Sequence, residues 1–240
     1  MKINSYIEQQ NIRLGVTVGV ALLFLVNFSS ILDAKEGIKM KSFGDLTDKV
    51  IQLPVPVLKG RVSVEEALAK RESVRHFTPE PLTPSDLSQI LWSAQGITRN
   101  WGGRTAPSAG ALFPLELYLV LQEGFFHYAP GGHQLIRISD QNYIEDLATA
   151  ALGQQCVRES PAIVVITAVY ERIERKYGKR GERYVKMEAG HAGQNILLQA
   201  VSLGLGAVPV GAFYDEHVRK VLNLPVNQEP LYLIPLGHKK

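Results

Sequence analysis

With 240 residues, 45% apolar and 20% charged, the chain has the composition of an ordinary globular protein and enough length for one substantial core. A net charge of +3 gives no basis for a nucleic-acid partner. Cys156 is the only cysteine, which excludes an intramolecular disulfide and any multi-cysteine metal site.

Residues 14–32, LGVTVGVALLFLVNFSSIL, carry no charge. At 1.5 Å rise per residue such a stretch spans roughly 28 Å as a helix, close to the hydrocarbon thickness of a bilayer. A transmembrane anchor is the first reading, a cleaved signal peptide the second and a buried core helix the third. Leu32-Asp33-Ala34 is a poor match to the small residues that precede a signal cleavage site. Lys35, Lys39 and Lys41 after the segment, against Lys2 and Arg13 before it, lean by one charge towards a cytoplasmic catalytic domain; cleavage would instead make it secreted or periplasmic. Residues 1–32 thus form an N-terminal region. Residues 33–60 read as a linker, with Pro54 and Pro56 favouring extended backbone. The folded domain is expected over 61–240.

Ser63-Val64-Glu65-Glu66 has capping-box spacing and predicts a helix to about Arg71. Thr83-Pro84-Ser85-Asp86 opens another, with an apolar stripe of Leu87, Ile90, Leu91 and Ala94. A polar, glycine-rich loop follows over 96–110, then a strand over 115–121. FFHYA and QLIRI flank Pro130-Gly131-Gly132-His133 as a hairpin. Next come a helix over 141–152, a buried strand over 161–169, a long helix over 182–203, a strand over 206–213, a short helix over 215–222 and a strand over 231–236. The hairpin demands antiparallel pairing, so the fold class is α+β, a mostly antiparallel sheet flanked by helices. The glycine-rich run from Gly204 to Gly211 has the order helix, turn, strand; a dinucleotide fingerprint needs strand, turn, helix, and is rejected.

Three segments can carry chemistry. Arg71 and Arg75, with Ser73 between them, suit a phosphate through charge-assisted bonds, although such a cluster taken alone reads first as a solvated basic turn. The small residues of APSAGALFP (106–114) allow a flat ring to approach the backbone, or simply build a tight loop. EAGHAGQN (188–195) lies on the long helix, where Gly190 and Gly193 thin one face and His191 is more often a core histidine than a catalyst. His127, His133 and His217 read as surface residues. No carboxylate and histidine fall at metal-binding spacing, so no metal is expected.

In this order the segments RESVRHF (71–77), APSAGALFPLELYLV (106–120), RYVKMEAGHAGQNILLQAVSLGLGAVPVGAF (183–213) and EPLYLIPLGH (229–238) resemble the nitroreductase family of FMN enzymes, nearest its SagB-type dehydrogenase branch, relatives of thiazoline and oxazoline oxidases. The resemblance implies that Arg71, Ser73 and Arg75 hold the FMN phosphate and ribityl chain. It places Pro107, Ser108 and Ala109 along the flavin, with Ala111 where many relatives have asparagine. Pro209, Val210, Gly211 and Ala212 would face the ring, the Gly211 amide towards its N5. The arginine usual near the chain end is missing, leaving His238 or Lys239 for that phosphate contact. Lys176-Tyr177 corresponds to the lysine–tyrosine pair that azoline oxidases use in proton abstraction; on its own it reads as a solvated loop pair.

The function that follows is two-electron reduction or dehydrogenation of a small organic or peptide-derived substrate, with NAD(P)H as the electron donor if the enzyme works as a reductase. The alternative is a membrane-tethered flavin-binding or sensing protein without turnover. A homodimer is expected, because the apolar long helix needs cover on more than one side and nitroreductases are typically dimers.

Overall fold

The computed structural model describes residues 48–240. The apolar stretch 14–32 and most of the expected linker lie outside them. Among the described residues no helix is long and apolar enough to cross a membrane.

Seven strands form one sheet in the order β1-β4-β3-β2-β5-β7-β6, with neighbouring strands antiparallel. These are β1 (Val50–Gln52), β2 (Leu115–Leu121), β3 (Gly124–Ala129), β4 (Gln134–Ser139), β5 (Ala162–Ala168), β6 (Leu205–Ala207) and β7 (Glu229–His238). The helices are α1 (Val64–Lys70), α2 (Pro84–Gln95), α3 (Ile144–Ala150), α4 (Gln155–Arg158), α5 (Glu171–Tyr177), α6 (Arg180–Ser202) and α7 (Asp215–Val221). β5 is buried along its whole length because the sheet is covered on both faces: α2 and α6 pack on one, α3 and α7 on the other. The α+β expectation holds.

The α2 start forms as its sequence dictates. The Thr83 hydroxyl accepts from the Asp86 N–H, the Asp86 carboxylate accepts from the Thr83 N–H, and Pro84 occupies the first turn, where no N–H is needed. Leu87, Ile90, Leu91 and Ala94 are all fully buried. On α6 the buried stripe runs through Val185, Glu188, Ala189, Ala192, Gly193, Ile196, Leu197 and Ala200, the three- and four-residue spacing of one helix face.

Several boundaries differ from expectation. The sheet begins at Val50, inside the expected linker, because Ile51 and Leu53 bury their side chains while β1 pairs with the edge of β4. The chain beyond is tied to α2: the Ser88 hydroxyl donates to the Pro54 carbonyl, and the Gln89 side chain bonds both backbone groups of Val57. His133 is no loose surface residue but the knot of this attachment. Its Nδ1 meets the Tyr128 hydroxyl at 2.9 Å and its Nε2 lies 2.7 Å from Ser88 Oγ and 3.0 Å from the Pro54 carbonyl. Burial pushes the His133 pKa down, the Pro54 carbonyl opposing. His127 is likewise half-buried, 2.7 Å from the Glu116 carboxylate. The expected strand over 206–213 shrinks to β6: the Val208 N–H still donates to the Pro235 carbonyl, but Pro209 has no N–H for the ladder and only a bridge between Val210 and Leu233 follows. The charged stretch before the long helix is itself helical, so Lys176 and Tyr177 end α5 rather than sit in a loop. Gly193 lies 3.7 Å from Tyr232 and Ile234 of β7, measured to the Cβ it lacks. It therefore serves the sheet, and only Gly190 faces open space.

Candidate functional site

The basic segment 71–75 lies beside β6, the edge strand at the Leu236 end of β7. Val74 N–H donates to the Ala207 carbonyl, Ser73 bridges Ala207, and Phe77 bridges Lys239. The approach is close enough that a Cβ on Gly206 would stand 2.6 Å from the Val74 side chain. This packing leaves Ser73 and Arg75 exposed and Arg71 half-buried. Among the described residues neither guanidinium has an ion pair; Arg75 reaches only the Ser73 carbonyl, at 3.4 Å. Lys239, by contrast, is held by Glu72 at 3.1 Å, and the His238 backbone pairs with Leu205 in the β6–β7 register. The structure thus brings Arg71, Ser73, Arg75, His238 and Lys239 to one end of the sheet. Two unpaired cations beside an exposed hydroxyl suit a doubly charged anion.

Pro209 to Ala212 follow directly from β6. Gly211 and Ala212 are exposed, and the ring edge of Tyr232 closes the floor at 3.9 Å from a Cβ built on Gly211. The Ala212 carbonyl accepts from the Gln154 amide at 2.8 Å, which ties this segment to the start of α4.

Pro107, Ser108, Ala109 and Ala111 form a tight turn elsewhere. The Ser108 hydroxyl accepts from the Phe113 N–H at 2.9 Å, and the Ser108 carbonyl accepts from the Ala111 N–H at 3.1 Å. Gly110, Ala111 and Phe113 all have positive φ, 63°, 55° and 45°. Only glycine takes that conformation freely; asparagine tolerates it better than alanine does. Lys176 and Tyr177 stand against this turn. A Cβ on Gly110 would come within 2.8 Å of the Tyr177 hydroxyl and 3.0 Å of Lys176 Nζ. The Tyr177 ring is braced edge-on by Tyr184 of α6, centroids 5.2 Å apart. A lysine side chain and a phenol thus converge on one exposed backbone turn, two groups of the kind that carry protons in general acid–base chemistry.

Beneath the turn lies Glu188, 2% exposed, which pattern reading left on the helix without a role. Burial raises its pKa to about 7, although Ser108, Arg104 and Gln95 pull the other way. Neither carboxylate oxygen has a partner in good hydrogen-bond geometry, and Gln95 Nε2 and Arg104 Nε are buried without one too. The Arg104 guanidinium donates to Gln95 at 2.8 Å and stacks 4.4 Å from the centre of the Phe113 ring. Around it, Glu116 is ion-paired to Arg172 and bonded to His127. Burial alone would raise the Glu116 pKa, but those two partners hold it below the usual carboxylate range. Glu188 was legible in one respect: an acid three residues after Val185 and one before Ala189 falls on the apolar stripe.

The two groups do not meet within one chain. Leu115, just after the Ser108 turn, is level through Ala168 with Glu229, while Ser73 is level through Ala207 with Leu236. From Glu229 to Leu236 is roughly 24 Å of strand at about 3.4 Å per residue. Gly211, near the level of Leu233, lies between them.

The chain matches the family described as "Nitroreductase family" over residues 68–238. It is 46% identical to the nitroreductase-like protein MJ1384 of Methanocaldococcus jannaschii over 184 residues, covering 74% of this chain and 92% of that one. It is 30% identical to the microcin B17-processing protein McbC of Escherichia coli over 133 residues, half of this chain and 48% of McbC. Among solved structures, a nitroreductase-like protein of Ralstonia eutropha superposes with a TM-score of 0.71 at 29% identity, over 80% of this chain and 90% of that one.

Proposed function

The chain belongs to the nitroreductase family, and from that premise we propose that it holds FMN and dehydrogenates a small organic or peptide-derived substrate in the manner of the SagB-type branch. When bound, FMN supplies the two-electron acceptor or donor. The residues fit such a group: Arg71 and Arg75 offer two unpaired cations to a monophosphate, Ser73 adds a neutral donor, and the exposed backbone at Gly211 gives a flat ring room to approach. Lys239, already occupied by Glu72, contributes field rather than a free ammonium.

The observation that carries the dehydrogenase reading is the convergence of Lys176 Nζ and Tyr177 Oη on the Gly110 turn. A substrate lying over that turn places an acidic C–H between an amine that can accept its proton and a phenol that can relay it. Because that turn and the phosphate-binding end are roughly 24 Å apart along β7, one protomer cannot lay both against a single flavin. A homodimer resolves this: one copy binds the phosphate and the ring, and its partner brings the Ser108 turn with Lys176 and Tyr177. The exposed Met187 and the open face at Gly190 on α6 are surfaces such a partner would cover.

The test has two stages. Cofactor released by heat should chromatograph as FMN; FAD or no flavin overturns the cofactor assignment. Lys176→Ala and Tyr177→Phe should each lower turnover with a cyclised peptide ring at least tenfold, with flavin content unchanged. Full activity in the double variant defeats the proton-transfer role. Bleaching by NAD(P)H followed by rapid nitro-compound reduction, insensitive to both substitutions, would make the protein a reductase instead.

A further inference from the structure

We propose that Glu188 is a positioning residue whose protonation state sets the direction in which the Ser108 hydroxyl donates. Ser108 Oγ already accepts the Phe113 N–H, which leaves it one lone pair and one proton. Glu188 lies beneath it, 2% exposed, with both carboxylate oxygens lacking a partner in good geometry. An ionised carboxylate there is poorly compensated, so it draws in every donor within reach, the Ser108 O–H included. A neutral carboxylic acid has its own O–H to donate, and the Ser108 lone pair is an acceptor beside it. The Ser108 proton is then released from the interior and turns to the outer face of the turn.

The surroundings support a single-proton device. Gln95 of α2 and Arg104 of the following loop are the other polar groups that act on Glu188. Arg104 is engaged by Gln95 and by the Phe113 ring, and it also feels Glu116 of β2, Arg172 of α5 and Tyr128 of β3. Burial lowers the Arg104 pKa, a sign that its charge is itself poorly solvated and does not fully compensate the acid. Lys176 and Tyr177 stand against Gly110 of the same turn. Ser108 thus joins a buried acid to the turn whose exposed Gly110 meets Lys176 and Tyr177. The consequence for cofactor rests on the function proposed above: Ser108 would donate a hydrogen bond to a bound flavin only while Glu188 is neutral.

The experiment follows the amide resonances of Ala109 and Gly110 in the full-length protein from pH 5.5 to 8.5. They should shift in one step with a midpoint near the Glu188 value of about 7. In Glu188→Gln, whose amide donates to Ser108 as the neutral acid does, they should stay at the low-pH position throughout. In Ser108→Ala the step at these amides should vanish, while the infrared carbonyl band of protonated Glu188 still titrates. A step that persists in Glu188→Gln, or its absence in the unaltered protein while the Glu188 band titrates, overturns the proposal. If Glu188→Gln does not fold, the Ser108→Ala comparison decides alone. With FMN present, the dissociation constant should rise several-fold across the same step and become flat in Glu188→Gln. If the protein binds no flavin, the resonance shifts still decide the Glu188 role, so the two ideas fail separately.

Discussion

The two ends of β7 handle charge in opposite ways. At the Leu236 end, half-buried Arg71 and exposed Arg75 lie on the segment beside the buried β6, without ion pairs among the described residues, where solvent keeps a free cation inexpensive. At the Glu229 end, Glu188, Arg104 and Gln95 are packed beneath a turn, where each polar group without a partner carries a desolvation penalty. Exposed charge remains available to a ligand and hardly affects folding. Buried charge couples to the proton concentration and strains the fold until it is neutralised.

The sharpest way to break this contrast is the pH dependence of stability. The Glu188 pKa is raised to about 7 in the folded chain from an ordinary 4.5. Between those values the folded state binds the extra proton, so stability falls as pH rises from 4.5 to 7 and is lowest above 7. The loss amounts to about 3 kcal/mol at 1.36 kcal/mol per unit. Glu188→Gln should remove that slope from urea unfolding midpoints measured between pH 5 and 8. An identical slope in both proteins means Glu188 is not the titrating group.

The opposite end should show the reverse pattern. Arg71→Ala and Arg75→Ala should each weaken FMN binding by 10- to 100-fold, about 1.5–3 kcal/mol for a charge-assisted contact, with little change in the melting temperature of the flavin-free protein. Flavin fluorescence titration measures the first and calorimetry the second; a large loss of stability would show these arginines to be structural.

A smaller effect separates backbone from charge in the Ser108 turn. Ala111→Gly relieves an alanine held at φ 55° and should stabilise the protein by about 1 kcal/mol. Ala111→Asn should gain less, and loss of stability in both would mean the turn is set by packing on the alanine methyl.

At the weak end of the series, Lys239→Ala breaks the pair with Glu72, whose side chains are 43% and 68% exposed. Thermal unfolding should hardly register it, because an exposed pair gains little over solvent. A clear drop in stability would mean the phosphate-binding end is more tightly organised than its exposure indicates.

Much of the architecture was legible in the chain. Local rules act within a few residues, so Thr83 and Asp86 capped α2, the Leu87–Ile90–Leu91–Ala94 stripe was buried, and LELYLVL became β2 with the expected ends. The basic Arg71–Ser73–Arg75 segment and the Lys176–Tyr177 pair could also be singled out, because charge spacing and family resemblance are written along the sequence. Tertiary structure decided what depends on partners distant in sequence. The β1 strand exists because β4 offers an unpaired edge, and His133 is internal because Ser88, Tyr128 and Pro54 surround it. Glu188 stood in plain view as one acid among many; only burial beneath Ser108 gave it a pKa to titrate near neutrality. The separation of the two site halves was equally hidden, for it is set by which strand pairs with which along β7. Patterns near in sequence follow from backbone geometry, whereas the cost of a charge follows from what the fold packs around it.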